Sequence, residues 1–223
     1  MKEGYDAISH HFSLTREKPW KEWDLFLPFL KKEMSVLDVG CGNGRLIDFL
    51  KPYMKKYVGI DISSGMLREA RKKYPQYIFK EGEMSEIGEM FPQGEFDTIF
   101  SIAAFHHLPT KKLREKTLGS FHTLLRTNGT LVLSVWNLFQ KRYFFRYIES
   151  YLFFHPRWVR VPWKDKEGEV KAQRYYYSFT KRELKKLFEK SHFNILFLEY
   201  VKDGKIRKQR WGSHNLLVVG RKK

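Results

Sequence analysis

Apolar positions along the chain fall into two periods. Short runs of strand length recur at Val36-Leu37-Asp38-Val39, Tyr57-Val58-Gly59-Ile60, Tyr77 to Lys80, Phe96 to Ser101 and Thr130 to Trp136. Stretches with helical spacing lie between them. Ser63 reads as the cap of a helix through about Lys73. Thr110 to Arg126 places Leu113, Thr117, Leu118, Phe121, Leu124 and Leu125 on one face, and Asn128-Gly129 is expected to stop that helix. Later, Thr180 caps a helix through about Lys190, with Glu183 in capping-box position. Phe193 to Val201 and Leu216 to Gly220 then read as an antiparallel pair at the sheet edge. Alternating strands and helices predict one α/β domain over residues 1–223, a doubly wound, mostly parallel sheet of seven strands. Residues 1–34 stand ahead of it as an N-terminal cap. Residues 138–178 form an insertion before the last helix.

The turn after the first strand carries the most chemistry. Asp38-Val39-Gly40-Cys41-Gly42-Asn43-Gly44 leads into a helix expected from Arg45 to Lys51. Three glycines leave room for a sharp turn and for close approach of a ligand to the backbone. The following helix start offers free N–H groups to an anionic group. The second strand ends in Asp61, a carboxylate placed to accept from two ribose hydroxyls. Together these point to a nucleoside-cofactor site. The spacing is not G-x-G-x-x-G but D-x-G-x-G-x-G. Cys41, the single cysteine, excludes an internal disulfide and fits packing in the loop better than a nucleophile. The scattered histidines give no metal site.

Charge changes the picture next. Forty-two Lys and Arg against 25 Asp and Glu leave +17, with a pI near 9.8. Such a field suits a polyanion, although charge alone does not separate RNA from DNA or an acidic membrane surface, and solubility alone can also account for it. The insertion holds thirteen aromatic residues and nine Lys or Arg against four acids, a mixture suited to unpaired bases and phosphates. Phe144, Phe145, Tyr151, Phe153 and Phe154 are expected to pack a lid helix onto the sheet. Arg142, Arg146, Arg157 and Arg160 are the better candidates for RNA. No apolar run approaches the ~18 residues of a membrane span, and the first residues lack the apolar core of a signal peptide. A cytoplasmic location is expected.

The D-x-G-x-G-x-G loop resembles that of class I S-adenosylmethionine-dependent methyltransferases, in which it backs the amino-acid end of the cofactor. The flanks are narrower. Tyr5-Asp6-Ala7-Ile8 and His11-Phe12-Ser13-Leu14-Thr15-Arg16-Glu17-Lys18-Pro19-Trp20 resemble the tRNA wobble-uridine methyltransferases that esterify 5-carboxymethyluridine. So do Ser101 to Leu108, Val135-Trp136, Val161-Pro162-Trp163, Arg174-Tyr175-Tyr176 and Glu183-Leu184. Lys21, Glu83-Met84 and Tyr177 depart from that pattern. Glu83 still offers an acceptor for the exocyclic adenine amine.

The resemblance implies S-adenosylmethionine as cofactor, held by Tyr5, Asp38, Gly40, Cys41, Gly42, Asn43, Gly44, Asp61, Ile62, Glu83, Met84 and Ser101. It implies a tRNA anticodon stem-loop as substrate. A small zinc-ribbon activator is implied at the sheet edge near Tyr77-Ile78-Phe79. A carboxylate acceptor is ionised at neutral pH and needs no general base, only a cation to orient it. A guanidinium fork suits that role. Arg16 and then Arg174 are the candidates, with a phosphate contact or a surface ion pair as the plainer role for each. Tyr175 and Tyr176 are placed to meet the uracil. His106 and His107, beyond the fourth strand, could donate to the acceptor or line the cofactor. Two other readings remain: a methyltransferase of a small carboxylate or amine, and a silent RNA-binding subunit of the same fold.

Overall fold

The computed structural model describes residues 2–15, 20–153, 157–165 and 167–223, with the side chains of residues 151 and 153 left out. Eight strands form one sheet in the order β3-β2-β1-β4-β5-β10-β8-β9. Five of them, β1 (Met34–Val39), β2 (Met54–Asp61), β3 (Ile78–Glu81), β4 (Phe96–Ile102) and β5 (Leu125–Trp136), run parallel. Successive residues of these strands feed opposite layers, as the pleat requires. Leu37, Val39, Leu131 and Leu133 pack with Leu118 and Phe121 of α4 (Lys111–Leu124) and Leu184 and Phe188 of α6 (Lys181–Lys190). Val36, Tyr57 and Val132 pack on the other face with α2 (Leu46–Leu50), α3 (Ser64–Lys73), Trp23 and Phe26.

The expected doubly wound architecture is present, with the expected antiparallel pair at one end of the sheet: β10 (Asn215–Lys222) lies between β5 and β8 (Phe193–Lys202), antiparallel to each. The details of this architecture differ in three places. The eighth strand, β9 (Lys205–Arg207), is a hairpin partner of β8, made possible by positive φ at Asp203 and Gly204. Asn128-Gly129 does not end α4, which stops at Leu124. The pair lies inside β5, where the pairing with β4 shifts register and Asn128 takes φ +61°. The Thr180 cap accepts from Glu183 N as expected. The Glu183 carboxylate, however, turns away to Arg157 (2.6 Å) and Tyr177 rather than closing the box.

The first helix of the N-terminal region and the insertion both lie over the sheet's carboxyl end. Helix α1 (Lys2–Thr15) is fixed by Asp6, whose Oδ1 accepts from Ser63 Oγ (2.7 Å) and Gly65 N (2.8 Å) at the start of α3. Ser63 Oγ in turn accepts from Met66 N, the cap expected. The insertion folds as α5 (Phe144–Phe153) and a hairpin of β6 (Trp158–Lys164) with β7 (Val170–Tyr177), which pairs Arg174 with Val161. Strand β3 is an open edge, with Ile78 51% exposed.

Candidate active site

The sheet order reverses between β1 and β4, and a cavity of about 450 Å³ opens there at the strands' carboxyl ends. The glycine turn forms one wall. Gly40, Gly42 and Gly44 all have positive φ, at +79°, +55° and +75°. A Cβ on Gly40 would sit 2.2 Å from Ala104 Cβ, so the loop presses against the segment after β4. A Cβ on Gly42 would meet nothing within 4 Å, so this face lies open to a ligand. Gly44 points elsewhere, toward Tyr74 and Ile47, and fits the turn to its helices. The turn is anchored by Gly40 N and Cys41 N, which both donate to Ile60 O.

Asp61 holds the next element. Its Oδ2 accepts from Gly42 N (2.8 Å) and its Oδ1 from Ser63 N (2.9 Å). Each oxygen keeps a further lone pair for a ligand hydroxyl. Burial raises its pKa. Asp38 is more perturbed: burial pushes it up to about 7, against the hydrogen bond from Tyr57 Oη (2.8 Å). Cys41 is buried with its thiol pushed up, and its Sγ packs against Gly59, where a Cβ would come within 2.9 Å. Asn43, Ile62, Glu83 and Met84 also line the cavity. Ser101 is fully buried within β4 and does not, and its hydroxyl has no partner among the described residues.

The opposite wall comes from α1 and the segment after β4. Tyr5 Oη and His107 Nε2 are 2.9 Å apart, and His107 Nδ1 is 2.8 Å from Tyr175 O. Burial lowers the His107 pKa to about 4, so the ring is neutral at pH 7. A carbonyl only accepts, so Nδ1 carries the proton and Nε2 accepts from Tyr5. Both nitrogens are thus engaged, which suits lining the site rather than donating to a ligand. His106 is buried behind it. Its Nδ1 accepts from Trp136 N, and its Nε2 has no partner among the described residues.

Arg174 is brought beside this pair. It is 5% exposed, and its guanidinium lies 4.8 Å from the Trp163 ring centroid and 5.5 Å from that of Tyr176. No carboxylate pairs with it among the described residues, and its Nε is buried without a partner. Its positive charge helps to depress both histidines. Tyr176 stacks on Trp136 at 4.8 Å with 12° between planes, while Tyr175 points outward and contributes its carbonyl. Arg16 lies outside the described residues. Sequence reasoning gave no role to Asp6 or to the Trp136–Tyr176 stack. Those residues do sit in the flanking segments that carried the resemblance.

The cavity suits a nucleoside carrying an amino-acid tail. It has an open glycine face, a ribose-type acceptor at the end of β2, an acceptor at Glu83 and a buried acid at Asp38. Residues 13–197 match the methyltransferase domain family. A protein of Encephalitozoon cuniculi described as a methyltransferase is 38% identical over 59% of this chain and 60% of its own length. A tRNA (carboxymethyluridine(34)-5-O)-methyltransferase of Xenopus tropicalis is 35% identical over 61% of this chain, which spans only 21% of that protein. The protein of that name in Schizosaccharomyces pombe is 30% identical over 89% of this chain and 90% of its own.

Solved structures agree on the fold. An S-adenosylmethionine-dependent methyltransferase of Methanosarcina mazei superposes with a TM-score of 0.71 at 22% identity, over 89% and 96% of the two chains. A Haloferax volcanii methyltransferase in complex with the Trm112 activator gives 0.70 at 16%, over 99% and 98%.

The chain therefore belongs to the methyltransferase domain family and has the Rossmann-like fold of the S-adenosylmethionine-dependent methyltransferases on which it superposes. Within that class the chain belongs to the family of the fission-yeast tRNA (carboxymethyluridine(34)-5-O)-methyltransferase. Among the described residues no helix is long and apolar enough to cross a membrane, and no cluster of His, Cys, Asp and Glu could hold a metal ion.

Proposed function

We propose that this enzyme methylates the carboxylate of 5-carboxymethyluridine at the wobble position of tRNA, giving the methyl ester. The observation that carries the reading is Arg174, a buried guanidinium without a carboxylate partner among the described residues, set beside the Tyr5–His107 wall of the cavity. A buried charge of this kind is costly unless an anion completes it. The fission-yeast relative's substrate is such an anion, and the +17 charge suits a tRNA. A small carboxylate would satisfy Arg174 equally but gives the chain's field no role.

The cavity residues proposed for the cofactor are Asp38, Gly40, Cys41, Gly42, Asn43, Asp61, Ile62, Glu83 and Met84, with Tyr5 closing the far side. Gly44 supports the turn, and Ser101 supports the strand behind it. S-adenosylmethionine, when bound, supplies an electrophilic methyl group on a sulfonium. The residues' task is alignment and exclusion of water. Arg174 orients the acceptor carboxylate by a two-point grip, and Arg16 is proposed as its second cation. The neutral His107 takes no proton from the acceptor, since a carboxylate has none to give at pH 7. It holds Tyr5 against the site.

Two outcomes follow. In host tRNA, deletion of the gene should replace the methyl ester with free carboxymethyluridine in a nucleoside profile; an unchanged ester level would contradict the reading. S-adenosylhomocysteine affinity should rise between pH 6 and 8. Asp38, with a pKa of about 7 in the free protein, must be ionised to pair with the ligand's ammonium. Titration at several pH values should show that slope in the wild type and a flatter one in Asp38→Asn. Parallel profiles would remove Asp38 from that role.

The activator is proposed at the open β3 edge, whose Ile78 side chain is half exposed. The solved Haloferax complex favours a partner of this kind. A cytoplasmic location is proposed with the tRNA substrate.

A further inference from the structure

We propose that the outer face of α5, together with Trp211, is a stacking platform for unpaired nucleotides of the RNA substrate. The inference rests on the reading of this chain as an RNA methyltransferase and names where the strand lies. Sequence patterning assigned Phe145 to packing a lid helix, and the structure does otherwise. Tyr143 and Tyr147 turn inward onto Leu138, Val159, Val161 and Tyr176. Phe145, Ile148 and Leu152, spaced three and four apart, form the opposite stripe and are 83%, 39% and 66% exposed. Trp211, 46% exposed, joins the same surface by edge contacts to Phe139 (5.1 Å) and Phe144 (5.5 Å).

Charge selects the occupant. Lys141, Arg142 and Arg146 flank the stripe, and Lys205, Arg207 and Lys208 belong to the segment that ends at Trp211. None of the six forms an ion pair among the described residues. On the helices behind the sheet, by contrast, Lys72, Lys116 and Lys190 are each matched by a glutamate. In the segment before Trp211 the one acid, Asp203, faces His214. Exposed rings on segments that carry six unmatched cations, against one exposed and unmatched acid, Glu149 of α5, suit base faces and phosphates, whereas the centre of a protein interface is poor in charge.

Position separates RNA from an anionic bilayer. The inner side of α5 rests on Tyr176, whose ring centroid is 4.7 Å from that of His107 in the cavity wall. A strand crossing the platform is therefore led to the acceptor side of the site. A flat membrane on this face would lie across it.

The test is fluorescence anisotropy of a labelled anticodon stem-loop RNA across a salt series, with wild type, Phe145→Ala, Trp211→Ala and the pair Lys141→Glu/Arg142→Glu. Each ring variant is expected to weaken binding roughly five- to hundredfold. The charge variant should also lower the salt slope by about one to two. S-adenosylhomocysteine affinity and melting temperature should be unchanged in Phe145→Ala, which excludes misfolding. Equal RNA affinity for both ring variants and wild type would overturn the platform. So would loss of binding to phosphatidylserine vesicles, or a change in oligomeric state, with RNA affinity intact. Methyl transfer measured in parallel keeps the two claims apart. Ring variants that lose RNA affinity support the platform even if the wild type transfers no methyl to carboxymethyluridine, a result that would overturn the substrate reading alone.

Discussion

Replacing Arg174 by methionine is expected to cut methyl transfer to carboxymethyluridine RNA by roughly a hundred- to a thousandfold, the range for removing one preorganised hydrogen-bond donor. The same substitution should not lower the melting temperature. These two outcomes are joined by one physical fact: a buried guanidinium without a carboxylate partner among the described residues contributes little stability to the free protein. Methionine keeps the length that packs against Trp163 and Tyr176 and removes a desolvated charge. Arg174→Lys should recover only part of the activity, because an ammonium cannot grip both carboxylate oxygens in a plane. Cofactor affinity should stay within about threefold in all variants. Stopped single-turnover assays with calorimetry of S-adenosylhomocysteine binding check both halves. A clear drop in melting temperature with full activity would make Arg174 structural.

The second large effect concerns the glycine turn, where two neighbouring substitutions should behave differently. Gly40→Ala places a Cβ 2.2 Å from Ala104 Cβ at φ +79°, so the loop or the segment after β4 must move. Both stability and cofactor affinity should fall, the affinity by more than about tenfold, since strain of about 1–2 kcal/mol adds to the overlap. Gly42→Ala meets nothing within 4 Å. Its cost to the free protein is the backbone term alone, about 1–2 kcal/mol. Its methyl group projects into the ligand's space, so affinity should fall as severely as for Gly40→Ala. Thermal melts with and without S-adenosylhomocysteine read both terms. An affinity loss in Gly40→Ala but none in Gly42→Ala would mean that the open face of the turn is not the cofactor's.

The cofactor half of the site was legible because its parts are local. A strand, three glycines and a terminal acid within 28 residues, Asp38 to Asp61 with their strands, fix a turn geometry that Gly40, Gly42 and Gly44 adopt with positive φ. Caps were legible for the same reason: Ser63 and Thr180 both accept the backbone N–H expected of them. Asn128-Gly129 misled because its turn chemistry serves a bulge in β5 as well as a helix end. The placement of β10 inside the sheet was hidden too, since pairing order is set by long-range packing and not by either strand's pattern. The same holds for the acceptor side. Arg174, His107 and Tyr5 come from β7, the segment after β4 and α1. Only the resemblance of their flanking segments drew attention to them. Phe145 shows the limit of composition: an aromatic at helical spacing reads as core, yet it faces outward.

The most direct test of the substrate is transfer of labelled methyl from S-adenosylmethionine to tRNA bearing 5-carboxymethyluridine, run with the protein alone and with a small activator protein added. Label is expected in that nucleoside, released by mild base as befits an ester, and none on tRNA lacking the carboxymethyl group. Base-stable label, label on unmodified tRNA, or no transfer under either condition would contradict it.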